Sequence, residues 1–259
     1  MSTSYKKYFP LKALEPYVRF FYYFRSDNNS IERILPIGTT EITIRLNNEI
    51  EYNGIFLANP ATRFNFQRPN ALGEIIGISF QPWALNGLFR IPQSEITNIK
   101  IPLDTVLNPV YKKLAGLIKG KTDHQDIIKT IQCYLISMIT NKQNTIISDA
   151  VNFINERKGQ VQVSKLYKQY NISERRLQQQ FKSSIGMSPK KYCLLKRFHS
   201  TITHLRLTTD LTDLALDSGY YDQAHFINDF KSFAGICPSG LLKEKNTLNK
   251  LNADAYFGS

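Results

Sequence analysis

One spacing constrains this chain more than any other feature. Phe181, Gly186 and Pro189 recur as Phe230, Gly235 and Pro238, each 49 residues later. Ahead of them, "LYKQYNI" at 166–172 is matched by "LALDSGY" at 214–220 with an offset of 48, so the second unit carries one extra residue near its turn. Each unit reads as a short helix, a turn with Asn171 or Gly219 placed for positive φ, and a second helix. Ser173 suits the N-cap of a helix starting at Glu174. In the second unit Tyr221 takes the serine place and Asp222 caps one residue later. Leu177 and Phe181 lie four apart, as do Phe226 and Phe230, so each pair faces one side of its helix. With Leu166 and Leu214 these are the expected core anchors. Gly186 and Gly235 end their helices, and Ser188 before Pro189 opens a long helix through "KKYCLLKRFHSTITHL". The expectation is an all-α domain at 144–245, two helix-turn-helix units joined by a long helix, followed by a tail at 246–259.

Charge says what such a domain meets. The chain carries 33 Lys and Arg against 21 Asp and Glu, a net +12. Residues 157–206 hold 12 of the basic residues and one acid, Glu174, so nearly all the excess lies there. A compact basic field attracts phosphates. A helix-turn-helix places its second helix in the major groove of double-stranded DNA, and two units call for two successive grooves on one side of the duplex. With Leu177 and Phe181 inward, Arg175 and Gln178 reach outward near the N-terminal end and suit base edges. Lys182, a turn later, suits phosphate. In the second unit Gln223, Ala224, Ile227 and Asn228 flank Phe226, and Ile227 suits a thymine methyl. His225 is placed either to reach DNA or to pack at the surface. Lys231 corresponds to Lys182. Lys190 and Lys191 add backbone-directed charge beside the first unit, and Ser173 is open to the backbone as well as to its cap. Asp222 and Asp229 make the second unit the less basic of the two.

The first part of the chain has another rhythm. Ile42, Ile44 and Leu46 alternate with Glu41, Thr43 and Arg45, and "NN", "NG", "NP" and "RPN" punctuate 47–70, which reads as antiparallel sheet with one face inward. After Pro82, "WALNGLFRI" reads as one or two helical turns. Val110, Leu114 and Leu117, with Leu107 a turn earlier, and then Ile128, Ile131, Leu135 and Ile139 mark two amphipathic helices. Ile127, Tyr134, Ile136 and Met138 leave room for a dimer surface. The whole is α+β, with a sensor or dimerisation domain at 1–143, β-rich to about 82 and then helical. Arg33, Glu41, Arg45, Arg63 and Arg68 are its polar candidates, but no ligand-binding residue is singled out.

Enzyme chemistry finds no support. Cys133, Cys193 and Cys237 are far apart and none has a His and acid at catalytic spacing. The four histidines form no metal set, and no cofactor is called for. No apolar run reaches membrane-spanning length, the N-terminus lacks a signal-peptide pattern, and three scattered cysteines fit a reducing compartment, so a cytoplasmic protein with no membrane partner is expected.

"VSKLYKQYNISERRLQQQFKSSIGMSPKKY" and "LTDLALDSGYYDQAHFINDFKSFAGICPSG" resemble the DNA-binding domain of AraC/XylS-type bacterial transcriptional regulators. Ala215, Gly219, Phe226, Phe230, Gly235 and Pro238 carry most of the likeness. The resemblance implies a regulator, usually an activator that contacts RNA polymerase, and adds Gln179 to the base-reading positions. "LPIGTTEITIRL" and "IIGISFQPWALNGLFRIPQSEITNIKIPLDTVL" resemble the N-terminal region of a subgroup with uncharacterised effectors. That implies a cupin-like sensor domain, a small-molecule effector and, in some members, a homodimer. A regulator or repressor controlled by abundance or by a protein partner is the alternative.

Overall fold

A computed structural model describes residues 3–46, 54–58, 62–67, 73–139, 145–205 and 211–244 of the 259-residue chain. The expected boundary at 143/144, the tail at 246–259, Arg68 and the turns at 47–48 and 68–70 lie outside the described residues.

The unbroken run of aromatic residues in "VRFFYYFRS" lies in Val18–Ser26 (β2), the longest described strand, flanked by Thr3–Tyr8 (β1) and Glu74–Phe80 (β7). With Glu41–Leu46 (β4), Ile55–Ala58 (β5) and Lys100–Pro102 (β8) they form a six-stranded sheet in the order β1-β2-β7-β4-β5-β8, every neighbour antiparallel. Glu32–Ile34 (β3) and Asn65–Gln67 (β6) pair separately as a two-stranded ribbon. Among the described residues no pairing joins β1 to β8, so the sheet is not closed into a barrel.

Ile42 faces Ile78 on one side and Leu57 on the other, which aligns one apolar face across three strands. The helices Leu103–Ile118 (α2) and His124–Ser137 (α3) cover that face with Leu114, Ile118, Ile131 and Leu135. The opposite face departs from the simple alternation. Glu41 and Thr43 are buried too, because Phe20, Tyr22, Phe24 and Ile75 form a second cluster there, joined by Ile34 of the ribbon and by Ile37. Tyr22 donates its hydroxyl hydrogen to Glu41 at 3.0 Å, giving the buried carboxylate a partner.

In α2 the inward stripe is Val110, Leu114 and Ile118, while Leu117 is only partly buried. Spacings of three and four both suit a helix, and contact with the sheet selects Ile118. Leu107 leaves helical geometry (φ −137°, ψ 52°) two residues before Pro109, which has no N–H to give the preceding turn. Ile127 is fully buried inside the chain, and Tyr134, Ile136, Met138 and Ile139 pack partly buried against the same core. "WALNGLFRI" yields the short helix Ala84–Phe89 (α1).

Among the described residues seven helices make the second part: Thr145–Glu156 (α4), Val163–Gln169 (α5), Glu174–Ile185 (α6), Pro189–Leu205 (α7), Leu211–Asp217 (α8), Gln223–Ala234 (α9) and Pro238–Lys243 (α10). They share one core, to which Leu35 of the first part also belongs. α7 is its axis. Tyr192 meets Phe181 of α6 with centroids 6.3 Å apart, and Phe198 meets Phe230 and Phe233 of α9 at 5.1 Å each. Between them α7 touches the sheet domain. Leu195 fills the space where Gly38 lacks a side chain, and His199 Nε2 lies 2.8 Å from the Pro36 carbonyl.

A carbonyl only accepts, so Nε2 of His199 carries a hydrogen. Burial first, and then Lys196 and Arg19, lower its pKa well below the ordinary histidine value, against the opposing pull of the Pro36 bond. The unfolded chain therefore binds a proton near pH 6.5 that the folded chain refuses, and stability is full above that pH and falls below it. Between pH 7.5 and 5.5 the protein should lose about 1.4 kcal/mol more stability than His199→Asn. Urea unfolding of both proteins at the two pH values checks this, and equal losses would remove the assignment.

Candidate nucleic-acid interface

The two outward-facing helices are α6 and α9, and their ends are built alike. Ser173 Oγ accepts from the Arg176 amide at 3.2 Å, and an Asp222 carboxylate oxygen accepts from the His225 amide at 2.7 Å. Each helix closes on a glycine in the left-handed region, Gly186 at φ 80° and Gly235 at φ 70°. The turns before them use Asn171 (φ 49°) and Gly219 (φ 76°), one of the few non-glycine residues that tolerates this region and one glycine.

Leu166, Leu177, Phe181, Leu214, Phe226 and Phe230 are all buried in the shared core. Their helices therefore turn another stripe outward. Arg175, Gln178, Gln179 and Lys182 are exposed on α6, with Ser173 just before it. Gln223, Ala224, His225, Asn228 and Lys231 are exposed on α9, and Lys190 and Lys191 are exposed in the first turn of α7. Ile227 differs: it is partly buried against the core.

Local contacts qualify several of these residues. Gln178 donates its amide to Glu174 at 3.1 Å, one turn back, so this side chain has a partner in the free protein. Glu174 sits in the first turn of α6, where the helix dipole favours an acid. The ring of His225 stands edge-on to Tyr220, centroids 5.3 Å apart, with Nε2 3.6 Å from Asp229. Asp229 is itself partly buried. Asp229 is thus drawn in beside Tyr220, whose hydroxyl is pushed above its usual range by burial and then by the Asp229 charge.

Two basic residues of α7 are committed elsewhere. Arg197 on α7 donates from Nε to Gly159 O at 3.1 Å and from Nη1 to Gly219 O at 3.3 Å, tying the loop before α5 to the turn of the second unit. Lys196 lies over the Tyr192 ring, and burial, then Arg19, push its ammonium down to about 7. No residue pattern marks Arg197 as a tether, because its acceptors are main-chain oxygens.

A recess of about 630 Å³ opens between the parts, lined by Arg63, Asn98, Lys190, Lys191 and Ser232 among others. Of the other polar candidates, Arg45 lies over the Phe56 ring and Arg33 reaches the helical part. Among the described residues no group of three or more His, Cys, Asp or Glu is placed to hold a metal ion, and no helix is long and apolar enough to cross a membrane.

Comparison with known proteins places two families on this framework. Residues 166–244 match a helix-turn-helix domain, and residues 6–102 match a domain of unknown function (DUF6597). No curated protein matches the chain. Among solved structures, a xylose-binding transcription activator, XylR, matches at 16% identity and a TM-score of 0.34 over 39% of this chain. That match spans only 27% of XylR. An apo form of ToxT from Vibrio cholerae matches at 10% identity and a TM-score of 0.44, covering 93% of this chain and 97% of that one. A second ToxT structure gives 12%, 0.42, 93% and 97%. With a helix-turn-helix domain occupying both repeated units, the chain resembles DNA-binding transcriptional regulators of the AraC/XylS family.

Proposed function

We propose that this chain is a sequence-specific, double-stranded-DNA-binding transcriptional activator that reads two successive major-groove segments. One observation carries the reading: α6 and α9 have repeat-equivalent caps and anchors on a common axis, α7, and each turns polar side chains outward. Two such helices on one rigid core suit two grooves on one side of a duplex. In this reading Arg175, Gln178 and Gln179 meet bases from the first unit, and Gln223, Ala224, Ile227 and Asn228 from the second, with His225 beside them. Ser173, Lys182, Lys190, Lys191 and Lys231 meet the backbone. The burial of Ile227 and the Asp229 contact of His225 support a smaller share for the second unit.

The sheet part, at 1–143, would act as the sensor or dimerisation domain for the reader at 144–245, with 246–259 as a tail. An antiparallel sheet faced by a ribbon supports comparison with cupin-like sensors. A small-molecule effector, a second copy of the chain and RNA polymerase are the partners this reading entails. Selection of bound duplexes from a random library with the full-length protein tests it: a two-block motif with blocks one helical turn apart is expected, and a single block would remove the second reader.

Two variants separate the roles. Arg175→Ala should relax preference at one base pair, at a cost of about 1–3 kcal/mol for the cognate base. Binding to a panel of single-base operator variants checks it, and an unchanged preference everywhere would strike Arg175 from the readers. Lys182→Ala should weaken specific and non-specific binding alike and lower the salt slope by about 1. Titrations at several salt concentrations check it, and an unchanged slope would show that Lys182 meets no phosphate.

A further inference from the structure

The 49-residue repeat extends into contacts between the two parts of the molecule. The last carbonyls of a helix have no partner within it. At the end of α6 the Ser184 carbonyl accepts from Gln93 Nε2 at 2.6 Å, and the carbonyl of the capping Gly186 lies 3.0 Å from Thr97 Oγ1, sharing that hydroxyl hydrogen with Gln93 O at 2.8 Å. In α9 the carbonyl of Phe233, the repeat-equivalent of Ser184, accepts from the Phe64 amide at 2.9 Å. Its neighbour Ala234 accepts from Arg33 Nη1 at 3.0 Å. All four donors belong to the sheet part.

The donors are themselves held. Gln93 is fully buried; its Nε2 also donates to Pro82 O, and its Oε1 accepts from Thr40. Arg33 forms an ion pair with Glu244 at 3.2 Å, and its guanidinium lies 4.9 and 4.8 Å from the ring centres of Phe64 and Phe66. The Phe64 ring also occupies the space that a side chain at Gly235 would need. Between the two grips, α7 rests on Gly38 and Pro36.

We infer that the sheet domain sets the relative placement of the two reading helices by capping their C-terminal carbonyls, at the repeat-equivalent Ser184 and Phe233 and at Gly186 and Ala234 beside them, with Gln93 and Thr97 gripping α6 and Arg33 and Phe64 gripping α9. Arg33, Gln93 and Thr97 are positioning residues that act through α6 and α9. The consequence for DNA rests on the two-groove reading: the sheet domain would determine which spacing between half-sites the protein accepts. A helix core alone leaves the two units joined through α7. Grips at the far end of each reading helix fix its tilt as well.

The grip is measurable without DNA. Gln179→Cys and Asn228→Cys place spin labels at exposed, repeat-equivalent sites of α6 and α9, in a full-length chain carrying Cys133→Ser and Cys237→Ser. Cys193 is buried, with its thiol pushed up to about 11, and stays unlabelled. Pulsed electron–electron resonance should give one narrow distance distribution. Arg33→Ala and Thr97→Val should each broaden it while the circular dichroism stays that of the parent, and Thr97→Ser should restore it. Thr97→Val is nearly isosteric and keeps the test open if Arg33→Ala does not fold. An unchanged distribution in a folded variant overturns the inference whatever the protein does with DNA.

The second arm uses unlabelled protein that keeps Gln179, Asn228 and its own cysteines, and the selected operator with its spacer changed by one base pair. The parent should lose about tenfold in affinity, and either variant no more than about threefold. Broadened distances without any two-block operator would leave the grip standing and remove the two-groove reading. Broadened distances with spacing discrimination retained would overturn the proposed role in half-site choice.

Discussion

The burial of α7 is the constraint on which the rest of the structure depends. Its 17 residues put Tyr192 against the first unit and Phe198 against the second, both fully buried. Neither helix pair encloses a core of its own size without them: Phe181 packs on Tyr192, and Phe230 and Phe233 pack on Phe198. The same helix presents Leu195 and His199 to the sheet domain. A helix used on so many sides cannot shift toward one unit without opening a gap in the other, since cores are packed to crystal-like density. The spacing of α6 and α9 is therefore first a packing property.

Much of this was legible in the sequence. The 49-residue offset located both units, and residue chemistry located their ends: Ser173, Asp222, Gly186 and Gly235 each occupy the cap expected of them. Side-chain type carries that information because caps and left-handed turns admit few residues. Inward and outward faces followed from Leu177, Phe181, Phe226 and Phe230 for the same reason. Where two positions suited the helical period equally, as with Leu117 and Ile118, only the neighbouring sheet decided between them. The two-sided burial of β4 was hidden because Glu41 and Thr43 read as solvent-facing, and their covering residues, Tyr22 and Ile34, lie in separate strands.

The contacts between the domains were not legible at all. The acceptors at the helix ends are main-chain oxygens of Ser184, Gly186, Phe233 and Ala234, and every residue has such an oxygen. Arg197 escaped notice for the same reason, and its charge counted toward a phosphate-attracting field although Gly159 and Gly219 already hold it. Net charge is thus a coarse guide here. Of the basic residues that remain exposed, Arg175, Arg176, Lys182, Lys190 and Lys191 lie on the first unit, while the second keeps Asp229 turned in beside Tyr220 and His225.

Gln93 shows how narrowly such a junction can be specified. Its amide nitrogen serves two carbonyls, Pro82 and Ser184, and its oxygen serves the Thr40 hydroxyl, all out of water. Glutamate would bring an acceptor where two carbonyls need donors, and a buried charge besides. Asparagine is one methylene shorter and could not reach across from Thr40 to Ser184 without moving the backbone of either part. Leucine would fill the space but leave two carbonyls and a hydroxyl unsatisfied, each a loss larger than the bond it made. Thr40 borders Glu41, which holds Tyr22, so one continuous run of buried hydrogen bonds and covalent chain leads from the second face of the sheet to the end of α6. Any change in the sheet that displaces Thr40 must either carry the end of α6 with it or break a buried bond.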